Sequence, residues 1–465
     1  MNNIKNIFSL FFTLFLVSIL TISCRRDLDV KNTTGRLSLS ADTLVFDTLF
    51  TTYNSPTARL YVRNRTNGRL DIDFMGIENT NTDFSLIIDG IKSNQVKNYS
   101  LSAGDSLLIF ASYRAKTQTV QNYLAEELIT FKVNGHVQQV VMKCFSVNGV
   151  MLYKSLPSSN YIMQDTAYII RDTLSVGVGQ TLTITNKARL YFDNGAAILV
   201  RGTLKVQGTK EHPITFQGVR LDDKYKARAG QWSGIYFFTT AKDNDVHYAE
   251  IKNGYYGLYV AYPQADNNVK LVVSHTKIHD MVIAGLTGAE TKIYAYNTLI
   301  YDCGQSAVQM LSGGTYQYDY CTFYGDASKY THDRPTFIAL DYFGDPRNPI
   351  TTGALNLIMR NTIVHGNGKP EDEFFIGLVT DLPFGYNITH CLLKTKNLAN
   401  QDFISNPSHN NIINQNPEFE STTDKKFVVR ESSPAKNQAL PISGITLDIE
   451  DNARSAVSPT IGAYE

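Results

Sequence analysis

Neither sign of charge dominates this chain. Its 465 residues carry 43 Lys and Arg against 43 Asp and Glu, so no global field draws in nucleic acid or an anionic membrane face, and nucleic-acid binding is not expected. Cysteine is scarce: Cys24, Cys144, Cys303, Cys321 and Cys391 include no C-x-x-C pair and no Cys/His cluster. That argues against a structural zinc site, and the wide spacing does not make a disulfide scaffold. His275 and His279 stand four apart, but no helical pattern surrounds them, so the metalloprotease geometry that needs one helix face is missing. Heptads are missing too, which leaves a trimeric stalk without a device to build it. No metal and no cofactor is expected.

Long apolar runs are also absent, with one exception. After Lys5 the chain is almost unbrokenly apolar from Ile7 to Ile22, then turns small at Ser23 and Cys24. This is short for a bilayer span, which needs about 20 apolar residues, and it reads as a secretory signal. Leu20-Thr21-Ile22-Ser23-Cys24 resembles the lipobox of bacterial lipoproteins, with Thr21 departing from the usual Leu or Val. The resemblance implies removal of residues 1–23, lipidation of Cys24 and a tether over 24–37. Arg25 in place of Asp after the cysteine implies the outer membrane, and Asp27 and Asp29 loosely resemble an acidic tag for display at the cell surface. The alternative is a plain signal peptide with an incidental cysteine.

What remains predicts an all-β chain. Residues 38–149 alternate apolar and polar in short runs such as "TLVFDTLF", "ARLYVRN", "FSLIIDG" and "SLLIFASYRA", the pattern of an antiparallel sandwich. The segments "LYVRNRTNGRLDI", "LSAGDSLLIFASYRA" and "ITFKVNGHVQQVVMKCF" resemble the Ig-like domains of spindle- and cilia-associated proteins and of bacterial envelope proteins. Such domains act as spacers or docking modules.

Residues 150–405 show a longer rhythm. "YAEIKNG", "HTKIHDM", "NTLIYDC", "CTFYGD", "NTIVHGN" and "HCLLKT" share one frame, whose last common apolar residue is Ile251, Ile278, Ile300, Phe323, Val364 and Leu393. The steps are 27, 22, 23, 41 and 29 residues, which predicts a solenoid of short strands, with the longest step holding either an extra turn or a long loop. Two residues earlier stand Ala249, Thr276, Thr298, Cys321, Thr362 and Cys391, all small and hence inward; the residues between are mixed and predict an outer face. Cys321 and Cys391 thereby read as core. "GTLKVQGTKEHPITFQG" followed by "GQWSGIYF" resembles the early turns of right-handed parallel β-helix proteins of the pectate-lyase-like architecture, with glycines at the corners. Residues 406–465 resemble the C-terminal turns and cap of bacterial β-helix envelope proteins.

Enzymes on that scaffold group carboxylates on one face. Asp280 and Asp302 share a column on adjacent turns, which stack about 4.8 Å apart, near the spacing of a retaining glycosidase pair. The column reads Asn253, Asp280, Asp302, Gly325, Gly366, which is also what a turn selects for backbone reasons. The polygalacturonase-type motifs do not assemble, so no catalytic residue is assigned. Glu371-Asp372-Glu373 reads as a solvated loop, a calcium site being the alternative. The Tyr-rich stretches at Tyr255, Tyr256, Tyr259 and Tyr262, and at Tyr316, Tyr318, Tyr320 and Tyr324, predict a self-stacked ladder, a sugar or partner platform being the alternative. Asp-Thr-Leu at 42–44, 47–49 and 172–174 resembles a bacterial O-glycosylation consensus, unless the threonines only serve strands.

The expectation is a non-enzymatic, lipid-anchored scaffold or binding module of the outer membrane. Its partners would be an outer-membrane protein complex or a surface polysaccharide. The competing reading is a polysaccharide lyase or glycoside hydrolase.

Overall fold

In this computed structural model the described residues are 30–465 apart from 52, 80, 117–121, 186, 223, 331–332, 369–370 and 397–401; Cys24 and the signal segment lie outside them. Among the described residues the regular structure is almost all strand, with a single turn of helix at Asp402–Ser405 and a 3-10 turn at Pro407–His409. It forms two compact units, one ending at Asn148 and one running Gly149–Glu465.

The first unit is a sandwich of two five-stranded sheets. Strands such as Phe84–Ile88 and Ser106–Tyr113 bury alternate residues, and Leu60, Val62 and Ile109 of one sheet share a core with Phe131, Val140 and Met142 of the other. The expectation of a purely antiparallel sandwich needs one correction. Thr43–Phe50 pairs in parallel with His136–Val147. The preceding strand, Ser38–Leu39, lies antiparallel to Ala58–Arg63 in the opposite sheet, so the chain crosses between sheets over residues 40–42 and continues along the last strand in its direction.

The second unit is a coil of parallel strands, three to a turn, each paired with its counterpart one turn on. One turn can be followed through Ala197–Val200, Thr203–Gln207 and Ile214–Gly218, which pair with Gly234–Phe237, Asn244–His247 and Ala249–Lys252 of the next. We call the resulting stacks the first, second and third ladders. The repeat read from the sequence belongs to the third, and the structure extends it in both directions: Tyr168, Leu190 and Phe216 precede Ile251 in register, and Ile413 follows Leu393. The 41-residue step is one turn with an excursion, because the hairpin Tyr342–Asp345 with Asn348–Thr352 leaves the coil between the first and second ladders.

Inward residues of all three ladders fill one continuous apolar core, with Cys321 and Cys391 among them. The glycines of the stretch that opens the coil serve close approach, not left-handed backbone. A Cβ on Gly202 would lie 2.2 Å from the Gln180 carbonyl, and one on Gly208 2.2 Å from that of Tyr248.

Candidate functional site

Two columns of left-handed residues flank the third ladder. Before it, a single residue turns the corner from the second ladder: Tyr248, His275, Asn297, Tyr320, Asn361 and His390, with φ between 45° and 53°. After it stand Asn253, Asp280 and Asp302, with φ of 68°, 58° and 50°. Left-handed backbone selects Asn and Asp in turns, so the residue type at Asp280 and Asp302 has a backbone cause.

The side chains of that second column are committed as well. Asp280 Oδ2 accepts from His279 Nδ1 at 3.0 Å, and His279 Nε2 lies 3.1 Å from Glu250 Oε1. Lys329 bonds Asp280 directly and lies 3.8 Å from Asp302 Oδ2. Lys425 donates to Asp302 Oδ1 at 2.8 Å and to Asp326 Oδ2 at 3.0 Å. The result is a chain of alternating charge, and Asp280, Asp302 and Asp326 are 4%, 1% and 2% exposed. Burial pushes the Asp280 carboxyl up, but His279 and Lys329 outweigh it and hold it below the usual carboxylate range. At Asp302 burial wins over Lys425 and Lys329, and the carboxyl is raised. His279, sandwiched between two carboxylates, is held above the ordinary histidine value despite its burial.

The C-terminal residues cover the outside of this ladder. Phe419, Phe427, Val429, Ile445, Ile449, Ile461 and Tyr464 form one apolar cluster with Leu299, Tyr301, Tyr320, Tyr324, Ile363 and Leu392. Their polar contacts run backward along the corner column: Asn361 to Leu440 O at 2.7 Å, Asn297 to Leu447 O at 2.8 Å, and Tyr248 to Asp451 at 2.6 Å. Arg454 is 7% exposed, its guanidinium 3.9 Å above the Tyr320 ring and bonded to Asn297 Oδ1 at 2.9 Å. Two sequence readings are corrected here. The residues read as an outer face, among them Leu299, Thr322, Ile363 and Leu392, point outward but are buried beneath this strap. The Tyr row at 316–324 is neither the self-stacked ladder expected of it nor a surface platform: Tyr316 and Tyr318 fill the core, and Tyr320 and Tyr324 pack under the strap.

The other two outer faces differ. Along the first ladder Tyr236, Tyr256 and Tyr259 pack on one another with ring centroids 5.4–6.1 Å apart, a self-stacked arrangement, while Tyr255 and Tyr262 at its edges are exposed. The second ladder presents a polar row that the sequence reading missed. Lys205 pairs with Asp245, His247 Nδ1 lies 2.5 Å from Ser274 Oγ, and the Tyr294 and Tyr296 rings sit 5.3 Å apart. Arg360 holds Asp319 by two bonds of 2.7 Å, and Gln317 adds a third of 2.7 Å. The signal was available. His247, Ser274, Tyr296, Asp319 and Arg360 stand four residues before the apolar repeat position, and Asp245, Tyr294 and Gln317 six before it.

Among the described residues no group of His, Cys, Asp and Glu is arranged to hold a metal ion. Glu373 is fully buried and accepts from the Thr336 amide at 3.1 Å and hydroxyl at 2.7 Å. Asp372 accepts from Thr395 at 3.0 Å, and Glu371 pairs with Lys396. The reading of a solvated loop holds for Glu371 and fails for Glu373.

No protein-family model and no curated protein matches this chain. Among solved structures it is similar to the catalytic unit of a GH87 alpha-1,3-glucanase from Streptomyces thermodiastaticus, at 10% identity over 72% of this chain and 74% of that one, with a TM-score of 0.28. A second GH87 alpha-1,3-glucanase catalytic domain, in complex with tetrasaccharides, matches at 10% identity over 73% and 84% with a TM-score of 0.18. An ASH/PapD-like domain of human CEP192 matches at 9% identity over 27% of this chain and 96% of that one, with a TM-score of 0.18. Scores of this size leave the fold to be read from the strand pairing itself and carry no inference about activity.

Proposed function

We propose that this chain is a lipid-anchored protein of the bacterial outer membrane, held through Cys24 and displayed at the cell surface. In this reading an Ig-like spacer carries a right-handed parallel β-helix that binds without catalysis, its ligand an outer-membrane protein or a surface glycan. The observation that carries the non-catalytic part is the state of the carboxylate pair that the repeat places on adjacent turns. Asp280 and Asp302 are saturated by His279, Lys329 and Lys425 and are at most 4% exposed. A general acid or nucleophile must reach the substrate atom it serves, and these two reach only protein. The binding part rests on the second-ladder face, where half-buried Tyr294, Gln317 and Arg360 stand in stacked rows outside the strap's apolar cluster, with Tyr296 packed against its edge.

Purification of the intact protein from its own envelope in mild detergent, with mass spectrometry of what travels with it and a glycan array in parallel, tests this reading. A stoichiometric outer-membrane partner, or a glycan whose binding is lost on Tyr294→Ala, is the expected result. Neither partner nor glycan would overturn the binding role. Membrane release of a Cys24→Ala variant tests the anchor separately.

The lyase or hydrolase reading has one specific observation behind it, on the same open face. Asp245, which keeps 16% of its side chain in solvent, lies there with Lys205 and His247. Depolymerisation of any uronate or neutral glycan that is lost in Asp245→Asn, with the fold intact, would establish it in place of the scaffold.

A further inference from the structure

A lysine lies fully buried at the corner between the first and second ladders. Lys270 is 0% exposed, and its ammonium points at backbone: the Phe238 carbonyl at 2.6 Å, Ala261 at 2.8 Å, Tyr262 at 2.9 Å and Thr239 at 3.4 Å. Phe238 and Thr239 follow the first-ladder strand Gly234–Phe237, and Ala261 and Tyr262 end its counterpart one turn on, Tyr256–Ala261. Tyr262 is left-handed, with φ of 58°. Four carbonyls from two successive turns thus converge on one point inside the coil. Among the described residues no carboxylate pairs with this lysine. An ammonium has three N–H donors, matched by the three short contacts.

An unpaired buried charge is costly. Here the converging carbonyls offset that cost, two of them while also accepting from the protein: Phe238 from the Ala241 amide and Tyr262 from the Thr291 hydroxyl, each at 2.9 Å. Burial pushes the Lys270 amine down, to about 8, while the carbonyls favour its charged form. The geometry is that of a cation site. Its ligands are all neutral oxygens, and the three short distances of 2.6–2.9 Å exceed the roughly 2.0–2.1 Å of magnesium and sit at or above the roughly 2.3–2.6 Å of calcium. Uncharged carbonyl groups at such spacing suit a large monovalent ion.

We infer that Lys270 is an internal cation: its ammonium occupies a carbonyl site for potassium or ammonium ion, and removing the side chain beyond Cβ opens that site to the free ion. In the intact protein the lysine ties the 238–243 corner to the 261–269 corner and frees both from dependence on external salt. This goes beyond the proposed binding role and does not rest on it.

The test is Lys270→Ala in the full chain, with thermal melting followed by Trp232 fluorescence in potassium chloride, ammonium chloride and choline chloride at equal ionic strength. Trp232 is buried against Phe192 with ring centroids 4.0 Å apart, so its emission reports the coil. The expected result is a variant that melts roughly 10 °C below wild type in choline and regains about half of that in potassium or ammonium, while wild type moves by no more than about 2 °C. Lys270→Met keeps the stem and blocks the site, and is expected to stay low in all three salts. If Lys270→Ala does not fold in choline, refolding from urea in each salt gives the same comparison. Equal behaviour of Lys270→Ala in all three salts, or wild-type stability in choline, would overturn the inference.

Discussion

The second and third ladders are built on one repeat, stack at one spacing and carry similar residues, yet their outer faces have opposite fates. On the third, Asp280, Asp302 and Asp326 with Lys329, Lys425 and His279 form a sealed network beside an apolar strip hidden by the C-terminal strap. On the second, Asp245, Lys205, His247 and Arg360 remain partly in contact with solvent, while Asp319 is buried beneath Arg360. Residue type and repeat position therefore do not decide between structure and surface. What decides is whether another part of the chain supplies counter-charges and cover. The sealed column is where a sequence reading looks for catalysis, and it is the place least able to perform it.

The largest effect should come from unsealing it. Lys425→Ala leaves Asp302 and Asp326 buried without their shared partner. Removing one member of a buried pair costs about 3–5 kcal/mol, and urea unfolding followed by Trp232 emission is expected to show a loss of that size. Lys425→Met is not expected to rescue it, since the missing element is charge and not volume. A loss below about 1 kcal/mol would mean that water already screens the network and that the two faces are alike.

Next comes the apolar half of the seal. Phe427 is 1% exposed and packs on Tyr301 and Tyr324 with ring centroids 5.0 Å and 5.3 Å away. Phe427→Ala is expected to cost about 3–5 kcal/mol. It should also increase binding of a hydrophobic dye, since Leu299, Ile363 and Leu392 lie in the same cluster. Unchanged stability and dye binding would show that the strap is an ornament and that the third-ladder face stands without it.

A smaller effect is carried by pH. His279 titrates above 6.5 in the folded protein, so its contribution is fully present below pH 6.5 and is lost as pH rises through the folded value. His247, His275, His365 and His390 are depressed by burial; their contribution changes below pH 6.5 and has the opposite sign. Between pH 6.5 and about 8, where Lys270 begins to count, the unfolding free energy should fall with pH, and His279→Gln should flatten that slope. A slope that survives the substitution would assign it to another group and remove His279 from the network.

How much of this was legible depends on which residues carry it. The inward columns were, because an apolar or small side chain every second residue has one physical cause, burial; Ile278, Thr298 and Cys391 sit where the frame puts them. The left-handed column at Asn253, Asp280 and Asp302 was legible for the same reason, since backbone chemistry selects Asn and Asp there. The corner at Tyr248, His275 and Tyr320 was not. Tyr and His are poor left-handed residues, and the cause is tertiary: Tyr248 bonds Asp451, Tyr320 bonds the Leu440 carbonyl and His275 stacks on Tyr248 at 4.5 Å. Lys329 and Lys425 were equally invisible as partners of Asp280 and Asp302, because separations of 49 and 123 residues leave no local trace. The polar second-ladder row had a trace, at four and six residues before the repeat position, and was missed because only one strand of each turn was aligned.

The smallest predicted effect sets the two faces against each other directly. Lys205 and Lys425 are both lysines bonded to aspartate on the outside of one coil, and their side chains are 31% and 29% exposed. Exposure of the lysine does not separate them. The carboxylate does: Asp245 keeps 16% of its side chain in solvent, whereas Asp302 keeps 1%. If the cost of breaking a pair is set by the charge left behind, Lys205→Ala should cost no more than about 1 kcal/mol, several-fold less than Lys425→Ala in the same assay. Water can reach Asp245 once the ammonium is gone and cannot reach Asp302. Equal losses would locate the cost in the lysine stems, which pack on the coil in both places, and would remove the distinction between a sealed face and an open one.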